Sequence, residues 1–531
     1  MSGAGATAAL PGTGLSIAPR DLQRLLIGLG LATSMQFYTF DSVNLVLPDM
    51  AGAFGVSRDE AGWILITYSG ALFLGTPLSS YFARRIGLLP YLVGSILVFL
   101  GASIGCSMST RLDEMLIFRS IEGFAGGALN FWWRGSVYLI LTGPARSASM
   151  MRISVMLYAA TVVGLLCSGF LVDHLSWRFM WVIDAVLAAG ALFMLLRYYP
   201  RQVIEPDRHS APIDPWSALL FGVGVVALQI VLSRGEINDW FGSPMIVALT
   251  WVAVIAIVLF VFRCLDPSNA NPLLRLWMVK DRNVLAAIFI GLLTGMILSG
   301  SLYALPEYLR GVATPVRSAS QTGQILCVYA LTAMCIRPVV VPAIGRFGQR
   351  RVTIFALACM VASMLVMTFL LAPDTPTLYY ALPLVLYAGC LAPLLSAVGS
   401  GTAARVAGPA QMDAVSIYMT FRQLGAAMGV AFVNIVLDRR EAFHSSRLFE
   451  HLRTGAPTLG AWTGAVSRTL SEHGGRSTVD ATATTLRVLK EAGAQQASTL
   501  AFADAFRTMA LIGVAALALT PLMPPPARKK G

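Results

Sequence analysis

Largely apolar segments of about 18 to 25 residues recur along this chain, separated by short polar or glycine-containing stretches. A helix of about 20 apolar residues is long enough to cross the roughly 30 Å hydrocarbon core of a bilayer. The pattern therefore predicts fourteen membrane-spanning helices, at 25–47, 61–82, 88–109, 114–140, 148–172, 179–196, 214–233, 244–262, 284–306, 321–344, 352–372, 377–402, 411–437 and 505–523.

The composition indicates the same class of protein. Of 531 residues, 56% are hydrophobic and 12% are charged, whereas a soluble domain carries roughly a quarter charged residues. The net charge of +12 does not indicate nucleic-acid binding, because the basic residues are scattered and form no cluster with interleaved aromatics. The seven cysteines lie in or beside apolar segments and form no CxxC motif, so we expect neither a disulfide framework nor a metal site.

The distribution of Arg and Lys predicts the orientation in the membrane. If the N-terminus is cytoplasmic, the inside segments hold twenty basic residues and the short outside loops hold six. This asymmetry follows the positive-inside rule, from which long loops such as the outside segment 438–503 are exempt. Both termini are therefore predicted to be cytoplasmic, with a disordered tail at 1–24 and a second tail at 524–531.

Two short basic loops suggest an internal repeat. YFARRIGLLP (81–90) follows the second predicted span, and AIGRFGQRR (343–351) follows the tenth, eight spans later. Two six-helix halves separated by an inserted helix pair would place these loops at equivalent positions, an arrangement typical of transporters. The alternative is that any short cytoplasmic loop attracts Arg and Gly.

One predicted span contains two formal charges. Arg119 and Glu122 lie three residues apart in LIFRSIEGFAGGALNF (116–131), so they share one helix face. Charged residues at bilayer depth are costly, and they usually serve a site or a water-filled path. Two interpretations remain open here: a structural ion pair, or charges facing a cavity where Glu122 exchanges a proton.

Asp41 in TFDSVNLVLPD (39–49) is a second candidate for proton exchange. It has no basic residue within a helical turn, so any partner must come from another span. The alternative is an acid at a helix end, wetted by the outer interface. Asp184 and Glu307 are similar but lie nearer the ends of their spans, and we rank them below Asp41.

Four further arginines lie within or at the ends of predicted spans, namely Arg134, Arg337, Arg422 and Arg507, and two of them bear on a candidate site. Arg422 in YMTFRQLGAAMG (418–429) precedes small residues typical of helix packing, but its own charge needs a partner or a cavity. Arg134 follows two tryptophans, so we expect it to extend to the inner interface.

Several catalytic motifs are missing from the sequence. It contains no Gly-Lys pair, and therefore no Walker phosphate loop, and it has no HExxH motif. We therefore expect no enzymatic activity and no cofactor. Transport driven by an ion gradient is the function that remains for a chain with many spans and isolated buried carboxylates.

The sequence resembles the major facilitator superfamily, specifically its fourteen-span drug:proton antiporter branch (EmrB/QacA type). The resemblance covers about residues 25–523, and it rests on motifs that are specific together: DSVNLVLPDM, PLSSYFARRIG, LIFRSIEGFAGGA, HLSWRFMWVID, NPLLRLWMVKDRN, FRQLGAAMG and QQASTLAFADAF. Two departures stand out. Arg84 replaces the usual loop acid, and the span-five motif reads GLLCSG (164–169) without its proline.

The resemblance implies an all-α polytopic membrane protein of the major facilitator fold, with fourteen transmembrane helices. Its parts would be an N-terminal six-helix half, an inserted helix pair with cytoplasmic linkers, and a C-terminal half that includes the outside loop, at 25–196, 197–283 and 284–523. It also implies three sets of site residues: Asp41 and Glu122 for proton coupling; Arg119, Gly123 and Arg422 for the substrate cavity; Arg85, Gly87, Gly164 and Gly169 for the conformational gate.

The function implied is export of amphipathic organic compounds in exchange for protons, by alternating access in the bacterial inner membrane. The expected contacts are a small-molecule substrate and membrane lipid, and relatives of this type often work with a periplasmic adaptor and an outer-membrane channel. Loop 438–503 could contact such an adaptor, or it could be a solvated loop with short amphipathic helices. Alternative functions are a proton-coupled importer, a narrow metabolite exporter and a sensor or assembly relative without turnover.

Overall fold

The computed structural model describes residues 8–9, 16–141, 143–200, 214–269, 272–403, 410–453, 457–474 and 478–523. These residues are almost entirely helical. The helices are α1 (Pro19–Phe54), α2 (Arg58–Ala61), α3 (Trp63–Ile86), α4 (Leu88–Met108), α5 (Leu112–Ile140), α6 (Gly143–His174), α7 (Met180–Tyr198), α8 (Pro215–Arg234), α9 (Pro244–Leu265), α10 (Arg282–Gly311), α11 (Ala319–Phe347), α12 (Gln349–Leu370), α13 (Ala381–Ala403), α14 (Ala410–Arg453), α15 (Pro457–Gly474) and α16 (Thr478–Ala518).

The remaining regular elements are short. Two antiparallel two-residue strands, β1 (Ala8–Ala9) and β2 (Ser16–Ile17), precede α1. Five 3-10 turns connect or end the helices: Trp177–Phe179, Trp240–Gly242, Leu276–Lys280, Thr377–Tyr380 and Thr520–Leu522.

Each of the fourteen predicted spans falls on a separate long helix, and the all-α membrane fold is confirmed. Within the described residues, eleven helices are long and apolar enough to cross a membrane by length and composition alone. Of the helices that carry predicted spans, α1, α3 and α5 lie outside that set. Polar and charged side chains inside the bundle, such as Asp41 in α1 and Arg119 in α5, lower the mean hydropathy of two of them.

Two predicted boundaries need correction. The tail predicted at 1–24 is too long, because α1 begins at Pro19. The predicted outside loop at 438–503 is largely helical: α14 continues to Arg453, α15 follows, and α16 begins at Thr478. A helix satisfies its own backbone hydrogen bonds, so it can continue into water with a polar sequence that gives no membrane signal. The predicted tail at 524–531 lies outside the described residues.

The two basic loops have the same backbone geometry. Gly87 joins α3 to α4 with φ 96° and ψ 147°, and Gly348 joins α11 to α12 with φ 81° and ψ 157°. Glycine adopts such positive φ values without the steric penalty that a side chain would bring. The equivalence of these turns supports two repeated halves, α1–α7 and α10–α16, with α8 and α9 inserted between them.

Close helix pairs repeat in the two halves as well. The α1–α6 pair of the first half corresponds to α10–α14 of the second, and both are extensive contacts. Within α10–α14 the backbones nearly touch, since a Cβ on Gly425 would overlap the carbonyl oxygen of Leu292. Between the halves, α6 packs along α11, and α3 contacts α14. The inserted helix α8 packs against both α3 and α14, where Gln229 Nε2 donates a 2.8 Å hydrogen bond to the Ile66 carbonyl.

Candidate functional site

A cavity lined by residues of both halves lies between them. Its walls come from α1, α3, α5 and α6 on one side and from α10, α11, α13 and α14 on the other. Most of the wall is aromatic or aliphatic, with a few polar groups. This combination is typical of a site for small organic molecules, and the position between the halves is where such transporters bind their substrates.

Asp41 of α1 lines this cavity, as a proton-exchanging group must. Its Oδ2 accepts a 2.8 Å hydrogen bond from Thr161 Oγ1 of α6. Within the described part of the chain it forms no ion pair, and the other lining residues that carry formal charge are Arg134 and Arg422. Asp41 is therefore the one carboxylate among the described cavity residues, and it can change protonation without breaking a salt bridge.

Arg422 of α14 lines the cavity as the sequence predicts, and Arg134 of α5 lines it with Arg422. The expectation that Arg134 extends to the interface is therefore wrong. Its guanidinium turns inward, where Nη1 donates to the Asn130 carbonyl and to Asn130 Oδ1 at 3.1 and 3.2 Å. The amide four residues earlier on the same helix face is the sequence signal that could have indicated this placement.

Arg119 and Glu122 form a buried ion pair. Arg119 Nη1 lies 2.5 Å from Glu122 Oε2, and both side chains are 0% exposed. Glu122 Oε1 also accepts hydrogen bonds from Ser103 Oγ at 2.8 Å and Trp181 Nε1 at 3.3 Å. The Arg119 guanidinium also lies 3.9 Å from the centre of the Tyr68 ring of α3. Together with Ser103 of α4 and Trp181 of α7, these contacts bring four helices of the first half, α3, α4, α5 and α7, to this pair.

This burial corrects the predicted cavity positions of Arg119 and Gly123. Tyr68 lines the cavity, whereas Arg119 lies on the far side of the Tyr68 ring from it and is not part of the wall. Gly123 lies against α3, where a Cβ would overlap the Tyr68 carbonyl oxygen. Both residues serve helix packing in this conformation because α3 covers that face of α5.

Asp184 of α7 belongs to the same buried polar region. Its side chain is fully buried, and Oδ2 accepts a 2.8 Å hydrogen bond from Thr39 Oγ1. It lies close enough to Glu122 for the two carboxylates to interact electrostatically. The sequence placed Asp184 near a helix end and so ranked it low, because the neighbours that enclose it come from other helices.

The predicted gate residues occupy three different places. Arg85 is exposed, with Nη1 3.5 Å from the Tyr81 hydroxyl, and Gly87 forms the turn described above. Gly164 packs against α1, where a Cβ would lie 3.1 Å from Ser42 Oγ. Gly169 lies between the halves, where a Cβ would lie 2.7 Å from the Ala319 carbonyl oxygen of α11.

The halves also meet at the predicted outer end of the bundle. Arg310 of α10 forms a bidentate pair with Asp49 of α1, with N–O distances of 2.6 and 2.9 Å, and it donates to the Leu45 carbonyl at 2.8 Å. Nearby, Asp173 of α6 accepts hydrogen bonds from the first backbone amides of α11, at 3.2 Å from Ala319 and 2.8 Å from Ser320. These contacts hold the halves together at the predicted outer end.

Comparison with known proteins agrees with this architecture. The sequence profile of the Major Facilitator Superfamily matches residues 29–430. The multidrug export protein EmrB of Escherichia coli K12 is 27% identical over 448 residues, covering 82% of this chain and 84% of that protein. The fatty acid resistance protein FarB of Neisseria gonorrhoeae is 26% identical over 443 residues, with the same coverage. These matches confirm the resemblance predicted from the motifs.

A crystal structure of a POT family transporter in complex with 5-aminolevulinic acid superimposes with a TM-score of 0.64, covering 98% of this chain and 99% of that one. The sequences are 12% identical. At this level of sequence identity, the superposition shows a shared fold and nothing more.

Proposed function

This chain belongs to the major facilitator superfamily, and we propose that it exports amphipathic organic compounds across the bacterial inner membrane in exchange for protons. The single observation that carries the proposal is the largely apolar cavity between the halves with Asp41 in its wall. The name of the multidrug export protein EmrB, to which the chain is similar along most of its length, supports export of small molecules.

Asp41 is the residue to which we assign the coupling proton. It faces the cavity and its hydrogen-bond partners, Thr161 and Tyr329, are neutral, so it can gain and lose a proton as each side of the membrane becomes accessible. Glu122, the other sequence candidate, is enclosed with Arg119. Moving a proton to or from Glu122 would break a buried pair, which is costly.

In the transport cycle that we propose, the proton gradient is the energy source and no cofactor takes part. Substrate enters from the cytoplasmic side while Asp41 is ionised, and the halves then rock so that the cavity faces outward. Release of substrate allows Asp41 to take up a proton from outside, and the return step delivers that proton inward. Both termini are cytoplasmic in this scheme, in keeping with the charge asymmetry of the loops.

The helical segment that extends α14 and α16 beyond the bundle is a candidate contact for a periplasmic adaptor. The two extensions are joined by a 2.7 Å hydrogen bond from Ser498 Oγ to Glu441 Oε1 and by the 2.9 Å contact of His444 Nε2 with Asp504 Oδ2. A preformed helical surface binds a partner with less ordering cost than a flexible loop.

The decisive experiment uses inside-out vesicles with an imposed proton gradient. Uptake of lipophilic cations, neutral drugs and weak organic acids is followed for the wild type, for Asp41→Asn and for Asp21→Asn, a surface acid 45% exposed at the start of α1. We expect gradient-driven uptake in the wild type and Asp21→Asn, and none in Asp41→Asn. Unchanged uptake in Asp41→Asn would show that another group carries the proton, and no uptake in any protein would contradict export.

A further inference from the structure

The cavity contains two guanidinium groups, one from each half. Arg134 of α5 and Arg422 of α14 line the central cavity, and both also line a small adjoining void between α3, α5 and α14. Asn130 and Gln423 are shared by the two spaces as well. The arginines therefore face the same volume rather than opposite surfaces of the protein.

Neither arginine has a counter-ion within the described residues. Arg134 donates through Nη1 to Asn130, which is neutral. Arg422 makes no hydrogen bond to any described residue, and its Nε is buried without a partner. Two neighbouring cations in a partly desolvated cavity repel each other and are costly to maintain, so a ligand that neutralises them would stabilise the arrangement.

The rest of the cavity indicates the shape of that ligand. Phe37 and Phe40 of α1 and Leu298 and Leu302 of α10 contribute apolar wall to the same cavity as the arginines. A guanidinium presents planar paired donors that match the oxygens of a carboxylate, sulfonate or phosphate group. The site thus offers an anion-binding end and an apolar body.

Asp41 lies at a different depth in the cavity from the two arginines. Counted from the predicted cytoplasmic ends of their spans, Arg134 lies six residues from residue 140 of α5, whereas Asp41 lies sixteen residues from residue 25 of α1. At 1.5 Å of rise per residue, this difference of ten residues corresponds to about 15 Å in depth. A bound anion and the coupling proton can therefore occupy different levels of the same cavity.

We propose that Arg134 and Arg422 form an anion subsite, so that the exported compounds are amphipathic organic anions held by their acidic group. The inference rests on the proposed transport function and specifies its substrate class. An anion bound by both arginines bridges the two halves, which ties occupancy of the cavity to their relative position. Export of an anion in exchange for a proton also moves two charges in the direction favoured by an inside-negative potential.

The test compares binding of two probes with the same alkyl chain, decane-1-sulfonate and decyltrimethylammonium. Each is titrated calorimetrically into the purified full-length protein in phosphatidylcholine nanodiscs. The proteins are the wild type, Arg134→Gln, Arg422→Gln and Arg422→Lys, with Arg111→Gln as the control because Arg111 is 72% exposed at a helix start. Thermal unfolding of each variant checks that it is folded.

We expect the wild type and Arg111→Gln to bind the sulfonate at least tenfold more tightly than the ammonium compound. Either Gln variant should lose about tenfold or more in sulfonate affinity, equivalent to about 1.4 kcal/mol, with little change for the ammonium compound. Arg422→Lys should retain part of the preference because it keeps the charge but loses the planar fork. Equal affinities of the wild type for the two probes, or a parallel loss of both in the Gln variants, would overturn the proposal.

Two further results separate this inference from its alternatives. If sulfonate binding disappears in phosphatidylglycerol nanodiscs but not in phosphatidylcholine ones, the subsite belongs to an anionic lipid head group and the substrate assignment is wrong. If vesicles transport no probe while the purified protein keeps arginine-dependent sulfonate binding, the transport function fails and the anion subsite stands.

Discussion

The guanidinium of Arg119 lies 2.5 Å from the carboxylate of Glu122, and both side chains are completely shielded from solvent. Because the pair is enclosed by α3, α4 and α7, its first role is to join the helices of the N-terminal half.

Removing one partner of this pair should destabilise the protein. Glu122→Gln leaves the Arg119 charge buried without its partner, and such changes cost about 3–5 kcal/mol. We expect a clearly lower unfolding temperature for purified Glu122→Gln. The double variant Arg119→Met/Glu122→Met should recover much of that loss, because it removes both charges. A single variant as stable as the wild type would show that the pair contributes little to the fold.

The close contact between α10 and α14 should not accommodate an added methyl group at position 425. Gly425→Ala places a Cβ on the Leu292 carbonyl oxygen, so the helices must separate. Overpacking of this kind costs about 1–3 kcal/mol. The matched control is Gly94→Ala in α4, where nothing lies within 4 Å of the added Cβ. Thermal unfolding should be lowered by Gly425→Ala and unaffected or slightly raised by Gly94→Ala.

The Asp49–Arg310 pair should hold the predicted outer end closed. Arg310→Gln removes a partly buried bidentate contact worth on the order of 1–2 kcal/mol, which shifts an open-to-closed ratio by about 5–30-fold. A cysteine introduced at the fully buried Val46, in a background without the native cysteines, should react faster with a membrane-impermeant maleimide.

The control for this experiment is Arg111→Gln, which breaks an exposed pair with Asp113 that lies at the start of α5 and does not join the halves. Equal labelling rates in Arg310→Gln and in this control would mean that the pair does not hold the outer end closed.

Ionisation of Glu236, in the turn after α8, should make the stability of the protein depend on pH in the acid range. The hydrogen bond from Arg439 of α14 lowers the pKa of Glu236 below its usual 4.5. A lowered pKa in the folded state means that the contact stabilises the protein above about pH 4.5, and that the contribution is lost as the pH falls through the folded-state value. Glu236→Gln should therefore lose less stability between pH 5 and pH 3 than the wild type, as measured by thermal unfolding. The exposed Glu450→Gln should follow the wild type.

The sequence by itself determined the class and the fourteen long apolar segments, and it suggested the repeated halves. Segment length and charge asymmetry depend only on the bilayer, so they can be read without knowing which helices touch. The two tight basic loops that contain Gly87 and Gly348 could also be predicted, because a tight turn with positive φ favours glycine locally. For 438–503 the sequence predicted a polar outside loop, with short amphipathic helices as one interpretation, whereas the structure has long helices there. The segment carries no apolar signal from which their lengths could be predicted.

Only the tertiary structure decided which buried charges face the cavity. At 100° per residue, Arg119 and Arg134 project from α5 only about 60° apart, so helical periodicity cannot assign one to the cavity and the other to the core. The Tyr68 ring of α3 covers Arg119, whereas Arg134 opens toward Arg422 of the other half. The environment of a buried charge is set by neighbours distant in sequence, and these come together only when the two halves pack.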